Sequence, residues 1–358
     1  MANSINKSVN EFNQQVKPVS LWADAWRRLV KNRMALVGLW IVVVFGAIAL
    51  LAPVLPIYNY AHQEIMFQNI PPSLRPAGEV ALTQAQKHLD HIQTLIKEGR
   101  SDLQPDFDKA TADFAALQKM VRESPAANNV YILGTDYLGR DMLARTIYGG
   151  RISMLVGLVG TVTAILLGVI YGAIAGYVGG RIDNLMMRFV DIMYGLPYML
   201  IVIILMAMFN REGSSSIVII FVAIALVSWL TIARVVRGQI ISLKNAEFIE
   251  AARSMGASAT RIVFKYLLPN ILGVIIIFTT LAIPSFIMAE SFLSYLGLGI
   301  SAPLASWGTL VADGVQGMEL YPWRLLVPAL AMTMFLFAMN FLGDGLRDAL
   351  DPQSKNRA

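Results

Sequence analysis

The sequence contains no cysteine and only three histidines, at positions 62, 88 and 91. The absence of cysteine excludes disulfide bonds, thiolate metal sites and cysteine nucleophiles. His88 and His91 lie three residues apart on a predicted amphipathic helix, but no third ligand of a suitable type accompanies them. We therefore interpret both as surface histidines and expect no metal site.

Charged residues are also scarce. They make up 15% of the 358 residues, against about 25% in typical soluble domains, while hydrophobic residues make up 56%. This imbalance indicates an integral membrane protein. A net charge of +5 would suit a nucleic-acid partner. The basic residues are distributed around the apolar segments, however, and this distribution argues against such a partner.

Six segments are apolar enough, and about long enough, to cross a hydrocarbon core of about 30 Å. The first begins too far from Met1 and lacks a small-residue cleavage site, so we interpret it as an uncleaved span and not as a signal peptide. The predicted spans cover residues 34–53, 152–178, 189–209, 217–233, 271–293 and 323–342.

The basic residues of the short loops predict the orientation of these spans. With the N-terminus in the cytoplasm, 17 of the 29 Lys and Arg residues fall in cytoplasmic segments, and the two short outer loops hold only Arg211 and Arg324. Three arginines near the outer end of the second span run against this rule, and two nearby aspartates partly offset them. The balance favours both termini in the cytoplasm.

Composition divides the chain into a membrane core and flanking parts. In the long polar region after the first span, two amphipathic patterns are separated by Gly99 and Pro105, which predicts a helical hairpin. The predicted parts are a cytoplasmic segment 1–33 with an interfacial helix at its end, a first transmembrane helix 34–53, an extracytoplasmic insert 54–133, a core 134–345 that contains a cytoplasmic loop 234–270, and a cytoplasmic tail 346–358.

Small residues recur every fourth position along the second span. Positions four apart share one helix face, so this stripe predicts close approach of a neighbouring helix, which could also slide or rock there. Prolines inside three spans predict helix breaks, which transmembrane helices tolerate and which commonly shape cavities. The stripe is Gly160, Ala164, Gly168, Gly172, Gly176 and Gly180, and the prolines are Pro197, Pro284 and Pro328.

Acidic residues within or beside a span are costly unless they are paired or solvated, so each is a functional candidate. Asp191 lies at the cytoplasmic start of the third span, and Arg188, one turn earlier, is its predicted ion-pair partner. Glu290 lies near the outer end of the fifth span. It either lines a solute pathway or bonds to a neighbouring helix, and the sequence leaves both readings open.

The loop 234–270 is polar and carries helix signals between two strongly apolar segments. Asn245 is the predicted N-cap of a short helix, Glu247 and Glu250 suit its first turns, and Gly256 suits a left-handed C-terminal cap. Ser258 is predicted to cap a second helix that ends before Pro269. A chain that only crossed a membrane would not need this loop, whereas a chain that receives force from a soluble partner would. The alternative is a helix that lies on the bilayer surface.

The spacing within this loop resembles the cytoplasmic coupling loop of ABC-transporter permeases, known as the EAA loop. The matching positions, which that resemblance assigns to ATPase coupling, are Glu250, Ala251, Ala252, Arg253, Gly256, Leu268 and Pro269. Tyr266 stands where the permease pattern has isoleucine, which weakens one apolar contact.

Further motifs resemble the dipeptide/oligopeptide/nickel permease family, C-type subunit, over about residues 134–352 and the first span. The outer motif before the second span contributes Gly134, Asp136, Gly139, Arg140 and Asp141. The other motifs are residues 233–238, residues 293–299, Ser306-Trp307-Gly308 and the tail 343–352. The insert 54–133 is longer than the usual first outer loop of this family, and its enlarged surface leaves the substrate class less defined.

The resemblance implies an all-α polytopic membrane protein with six transmembrane helices and the type I ABC importer (MetI-like) permease fold. It further implies a homologous second permease, one or two cytoplasmic P-loop ATPases, an extracytoplasmic solute-binding protein, and a bacterial inner-membrane location. This chain contains no phosphate-binding loop of the form Gly, four residues, Gly-Lys-Ser/Thr. We therefore expect a non-catalytic subunit that binds no cofactor itself, with ATP and magnesium used by the ATPases.

Import of di- or oligopeptides is the leading expectation, and import of nickel, a modified sugar or an opine by the same machine is the alternative. An ion-coupled secondary carrier would predict two related halves with buried coupling charges, which the sequence does not show. A membrane scaffold without transport would also keep a docking loop. Neighbouring genes for ATPases and a binding protein would argue against that scaffold.

Overall fold

The computed structural model describes residues 21–209 and 216–350, and within these ranges the chain forms helices and no strand. The predicted tail beyond Leu350, the first 20 residues and the outer loop with Arg211 lie outside the described residues. The helices are α1 Leu21–Lys31, α2 Arg33–Leu51, α3 Ala77–Lys97, α4 Gln104–Glu123, α5 Met142–Val178, α6 Gly180–Gly195, α7 Tyr198–Phe209, α8 Ser216–Leu243, α9 Glu247–Ser254, α10 Leu268–Leu293, α11 Trp307–Val315 and α12 Trp323–Leu350.

Five helical stretches of the described chain are long and apolar enough to cross a membrane, and the bent pair α6–α7 gives a sixth if it forms one span. This arrangement agrees with the predicted six-span, all-α class. Three of the helices extend well past the predicted spans: α5 starts at Met142, α8 continues to Leu243 and α12 continues to Leu350. Hydropathy identifies only the apolar middle of a helix, whereas backbone hydrogen bonding continues into its polar ends.

The predicted break at Pro197 is present, because α6 and α7 meet there at an angle of 80°. The breaks predicted at Pro284 and Pro328 are wrong, since α10 and α12 continue through these residues. Both prolines are buried. Neighbouring helices therefore hold the chain in place where one backbone hydrogen bond is missing.

The small-residue stripe of α5 packs against α8, as the spacing predicts. A Cβ atom on Gly172 would lie 2.4 Å from the carbonyl oxygen of Ala233, and one on Gly176 would lie 2.9 Å from that of Arg237. The two backbones are therefore closer than any larger residue would allow. Gly180 does not take part, because it lies in α6 and a Cβ there would meet nothing within 4 Å.

The N-terminal helices pack against the C-terminal helix. The predicted interfacial helix corresponds to α1, whose Leu29 is buried with Ala349 of α12. Asn32 separates this helix from the next. Its side chain caps the start of α2 by accepting hydrogen bonds from the amides of Met34 and Ala35. The polar N-terminal segment thus continues directly into the first span.

The helical hairpin predicted between the first two spans is confirmed as α3 and α4. Gly99, with φ of 105°, lies between the two helices, and Pro105 occupies the first turn of α4. The base of this insert has a small apolar core. That core contains Phe67, Ile70, Ala77, Ala127 and Tyr131.

Candidate functional site

The short helix α9 lies between the long helices α8 and α10 and has two different faces. Ile249 and Ala252 are fully buried. Ile249 belongs to an apolar cluster with residues of α8, of α10 and of the helical segment between α9 and α10. Glu250, Ala251 and Arg253 point outward and are exposed. The helix is therefore attached to the transmembrane core along one face and presents a narrow alanine surface flanked by charges on the other.

The C-terminal end of α9 is fixed by its backbone. Gly256 has φ of 81°, a left-handed conformation that glycine adopts without a steric penalty. Its amide donates to the carbonyl of Arg253, and the amide of Ala257 donates to that of Ala252. These two hydrogen bonds define a Schellman motif, so the predicted left-handed cap is confirmed.

The two ends of the loop differ from the prediction in two respects. Ala246, and not Asn245, is the N-cap of α9, and it makes no side-chain capping bond. The second helix does not end before Pro269. Ser258 caps it as predicted, but the chain then continues from Ala259–Arg261 through a π-helical segment, Ile262–Leu267, directly into α10.

This continuity has a physical reason. The wider π-helical turn comes directly before Leu268 and Pro269, the first two residues of α10. Inside a continuous helix, proline removes one backbone hydrogen bond and its ring crowds the preceding turn, and the wider π-helical turn gives that ring room. The loop is therefore joined to α10 by unbroken helix. Displacement of α9 and the turn after it would move α10 as well.

Two apolar residues of α9 and its C-terminal cap are exposed and were missed in the sequence. Met255 is 78% exposed at the end of α9, and Phe248 is 42% exposed on its first turn. An apolar side chain among the polar residues of a loop is the signal that could have identified them. Together with Ala251 they give the outer face of α9 apolar contact area for a protein partner.

An ion pair and a hydrogen bond attach the part of α8 that precedes α9 to α6 and α5. Arg237 donates two hydrogen bonds to Asp183, at 2.6 and 2.7 Å, and Asp183 is buried. Lys244, just beyond the end of α8, donates to the carbonyl of Gly176 in α5 at 3.1 Å. These contacts hold the start of the loop in a fixed position relative to α5 and α6.

The predicted pairing of Asp191 with Arg188 is wrong. Asp191 instead accepts a hydrogen bond of 2.6 Å from Arg234 of α8. The guanidinium of Arg234 also lies 3.9 Å from the centre of the Tyr194 ring. Spacing along one helix suggested the local partner, but α6 packs against α8, which brings the distant Arg234 within reach of Asp191.

Glu290 is fully buried and bonds to a neighbouring helix, which is one of the two readings that the sequence left open. Its Oε1 accepts hydrogen bonds from the hydroxyls of Ser294, at 2.7 Å, and Ser306, at 2.6 Å. Ser306 is the N-cap of α11 and forms a capping box with Thr309. The carboxylate thus fixes the start of α11 against α10.

The motif Gly134–Asp141 is a tight, buried turn before α5. Asp136 accepts from the amides of Leu138 and Arg140, both at 2.9 Å, and also from the side chains of Arg140 and Arg145. Gly139 has φ of 74°, and a Cβ there would overlap the carbonyl of Glu64. In this chain the motif connects the insert to the core.

Asp141 completes this turn by capping α5. Its carboxylate accepts hydrogen bonds from the amides of Leu143, at 3.2 Å, and Ala144, at 3.1 Å. Burial raises the pKa of Asp141, and these two bonds oppose that rise. Gly134 has φ of 77°, and a Cβ there would lie 2.4 Å from the carbonyl oxygen of Ile70. The structure therefore explains all five residues of the outer motif by local geometry.

Comparison with known proteins assigns the chain to a class. Residues 144–356 match the family described as binding-protein-dependent transport system inner membrane component. Residues 20–72 match the N-terminal TM domain of oligopeptide transport permease C. The chain belongs to this family of membrane permeases, as its motifs indicated. It is a permease subunit of an ABC importer, a non-catalytic membrane component, and ATP hydrolysis belongs to a separate subunit.

Individual relatives with the same kind of name align over most of the chain. The chain is 40% identical to the dipeptide transport system permease protein DppC of Bacillus subtilis over 98% of this chain and 92% of that protein. It is 48% identical to the oligopeptide transport system permease protein OppC of Haemophilus influenzae over 66% of this chain and 75% of that protein. A chain from an inward-facing structure of the MetNI methionine ABC transporter aligns with 59% of this chain and over 98% of its own length. The two chains are 18% identical, with a TM-score of 0.47. A structural likeness of that size adds nothing to the assignment.

Proposed function

We propose that this chain is the C-type permease of a di- or oligopeptide importer and receives the force of ATP hydrolysis through α9. The observation that carries the coupling role is the two-faced geometry of α9, buried through Ile249 and Ala252 and exposed through Glu250 and Ala251. The names of relatives that align over nearly the whole chain support peptide as the cargo.

The proposed assembly has four kinds of protein. A homologous permease pairs with this chain to enclose the pathway, and one or two P-loop ATPases dock on the exposed faces of the coupling helices. An extracytoplasmic solute-binding protein delivers the peptide. The ATPases use ATP and magnesium, and this chain binds no cofactor. The basic residues of the short loops support a bacterial inner-membrane location with both termini in the cytoplasm.

The attachment of α9 gives the proposed route for the force. Movement of a docked ATPase would displace α9 together with Ile249, which is buried in a cluster with residues of α8, of α10 and of the segment Ile262–Leu267. Since helix runs without interruption from Ala259 into α10, displacement would reach this span directly. The ion pair of Arg237 with Asp183 would carry α6 along with α8. Substrate shifts this cycle only insofar as it favours one state of the assembly.

Uptake of a labelled tripeptide into proteoliposomes tests the proposal. The vesicles would contain this chain, the second permease and the ATPases, with the binding protein added on the outer side. We expect ATP-dependent accumulation of the tripeptide and none of nickel ions. ATP-dependent uptake of nickel, with none of any peptide, would overturn the proposed cargo and leave the importer class intact.

Ala251→Trp tests the role of α9 within the same assay. Ala251 is exposed on the outer face, so a large side chain there should block docking without disturbing the core. We expect uptake to be lost while the amount of protein in the membrane is unchanged. Ala251→Ser, which stays small, is the matched control and should retain uptake. Normal uptake by the tryptophan variant would contradict docking on this face.

A further inference from the structure

A cavity of about 580 Å³ lies where α6 and α7 meet at their 80° bend. Leu196 and Pro197 of the bend line one side, and residues of α5, α8 and α10 line the others. None of its lining residues carries a formal charge. The cavity belongs neither to α9 nor to the turn before α5, and the coupling role does not use it.

The backbone of the bend favours a water-filled cavity at this place. Helix α6 ends at Gly195 and α7 starts on a new axis, so carbonyl groups at the end of α6 lack helical partners. Within hydrocarbon each such group would cost several kcal/mol. Non-helical backbone at membrane depth is tolerated where it is buried in protein or lines a water-filled cavity, and Leu196 and Pro197 line this one.

The side chains of the cavity suit an uncharged polar ligand. The hydroxyls of Tyr194 and Thr231 are hydrogen-bonded to each other at 2.6 Å. Ser228 and Ser285 line the cavity from α8 and α10, and each hydroxyl donates a long bond of 3.5 Å to a carbonyl of its own helix. A hydroxyl that donates in this way keeps lone pairs to accept from an N–H group.

The remaining lining is apolar and includes aromatic rings such as Phe278 and Phe286. Amide groups can bond to the hydroxyls, and apolar side chains can contact the rings. The absence of charge from the lining avoids selecting for or against one charged side chain. These are the properties required of a surface that contacts peptides of many sequences.

Arg234 does not line the cavity but contacts Tyr194, which does. Arg234 lies over the ring of Tyr194 and pairs with Asp191, so it holds the phenol in place at the rim of the cavity. Both members of this pair are partly exposed, Arg234 by 43% and Asp191 by 66%. The pair therefore positions Tyr194 without itself lining the cavity.

We propose that this bend cavity is the chain's contribution to the peptide pathway, where it contacts the amide groups and uncharged side chains of a di- or oligopeptide in transit. The proposal rests on the peptide-importer function above. It assigns Ser228, Thr231 and Ser285 as hydrogen-bond acceptors for the peptide, and Arg234 as a positioning residue that acts through Tyr194.

Labelling of introduced cysteines tests this proposal directly. The sequence has no cysteine, so a single introduced cysteine is the only thiol of this chain. Ser228→Cys and Ser285→Cys place a thiol on two different helices of the cavity. Leu226→Cys is the matched control, since Leu226 lies on α8 two residues from Ser228, is 47% exposed and does not line the cavity. A water-soluble thiol reagent is applied to the assembled transporter in proteoliposomes, and labelling is measured on this chain.

We expect labelling of both cavity thiols and little labelling of the control. A transported tripeptide at about ten times its dissociation constant should slow labelling of the cavity thiols about tenfold, because only the unoccupied fraction reacts. Two cavity positions are used so that the test survives if one variant fails to fold. Absence of labelling at both positions, or labelling that the tripeptide does not slow, would overturn the cavity assignment.

Uptake in the same vesicles separates the two proposals. Normal ATP-driven tripeptide uptake by the cysteine-free chain, combined with unprotected cavity thiols, would reject the cavity and leave the peptide-importer function standing. Absence of peptide uptake by the cysteine-free chain, with uptake of another solute, would reject both the proposed cargo and the assigned ligand of the cavity.

Discussion

The close contact between α5 and α8 makes a quantitative prediction for Gly172→Ala. The added Cβ would lie 2.4 Å from the carbonyl oxygen of Ala233 and 2.9 Å from the Cβ of Val236. The first of these atoms belongs to the backbone, so a rotamer change cannot relieve the contact. Overpacking of this kind typically costs about 1–3 kcal/mol.

A second glycine isolates this clash from the effect of helix propensity. Replacing glycine by alanine in a helix interior stabilises it by about 1 kcal/mol. Gly46 lies in the interior of α2, and a Cβ there would meet nothing within 4 Å. Gly46→Ala therefore gains the propensity term alone, and the difference between the two variants measures the clash.

The assay is thermal unfolding of the purified assembly in detergent, followed by tryptophan fluorescence at one scan rate. We expect Gly172→Ala to unfold several degrees below Gly46→Ala, because about 1 kcal/mol corresponds to about 2–4 °C for domains of 150–250 residues. A fixed scan rate is needed because unfolding of such assemblies is commonly irreversible. Equal midpoints for the two variants would refute the close contact of α5 with α8.

Substitutions at three buried acidic residues probe the buried polar contacts. Asp183→Asn weakens the paired hydrogen bonds from Arg237, so we expect the free energy of unfolding to fall by about 1–3 kcal/mol and the thermal midpoint to fall with it. An unchanged midpoint would contradict the attachment of α8 to α6. Asp136→Asn removes the carboxylate that pairs with buried Arg140 and Arg145 and leaves Asp313, 3.9 Å from Arg145, as the remaining acidic group of this cluster. At a cost of about 3–5 kcal/mol, the chain should fail to accumulate in membranes on immunoblots, whereas Asp102→Asn, in an exposed pair, should accumulate normally. Glu290→Gln keeps an oxygen acceptor for the two serine hydroxyls and should retain peptide uptake, while Glu290→Leu should lose it. Equal uptake by both variants would contradict the role of Glu290 in holding α11 against α10.

The sequence predicted those features that depend on local periodicity and backbone geometry. The apolar runs gave the long helices, the four-residue spacing gave the face of α5 that meets α8, and Gly256 gave the end of α9. Each of these follows from neighbours along one helix or within one turn. The resemblance assigned Ala251 and Ala252 alike to ATPase coupling, but only Ala251 is exposed, because α9 turns Ala252 toward the core.

The features that the sequence did not predict depend on contacts between distant residues. Asp191 bonds to Arg234, 43 positions away, because α6 packs against α8. Pro284 resides in an unbroken helix because its neighbours support it, which its own residue type does not reveal. The exposure of Met255 likewise depends on which face of α9 the core covers.

Site-directed cross-linking from α9 tests the central claim most directly. Ala251→Cys gives the chain one thiol on the exposed face of α9, and a photoreactive maleimide attached there reaches whatever docks on it. On illumination of native membranes, the account predicts a covalent product in which mass spectrometry identifies a P-loop ATPase. Products with lipid alone, repeated with and without trapped ATP, would show that α9 lies on the bilayer and would contradict the account.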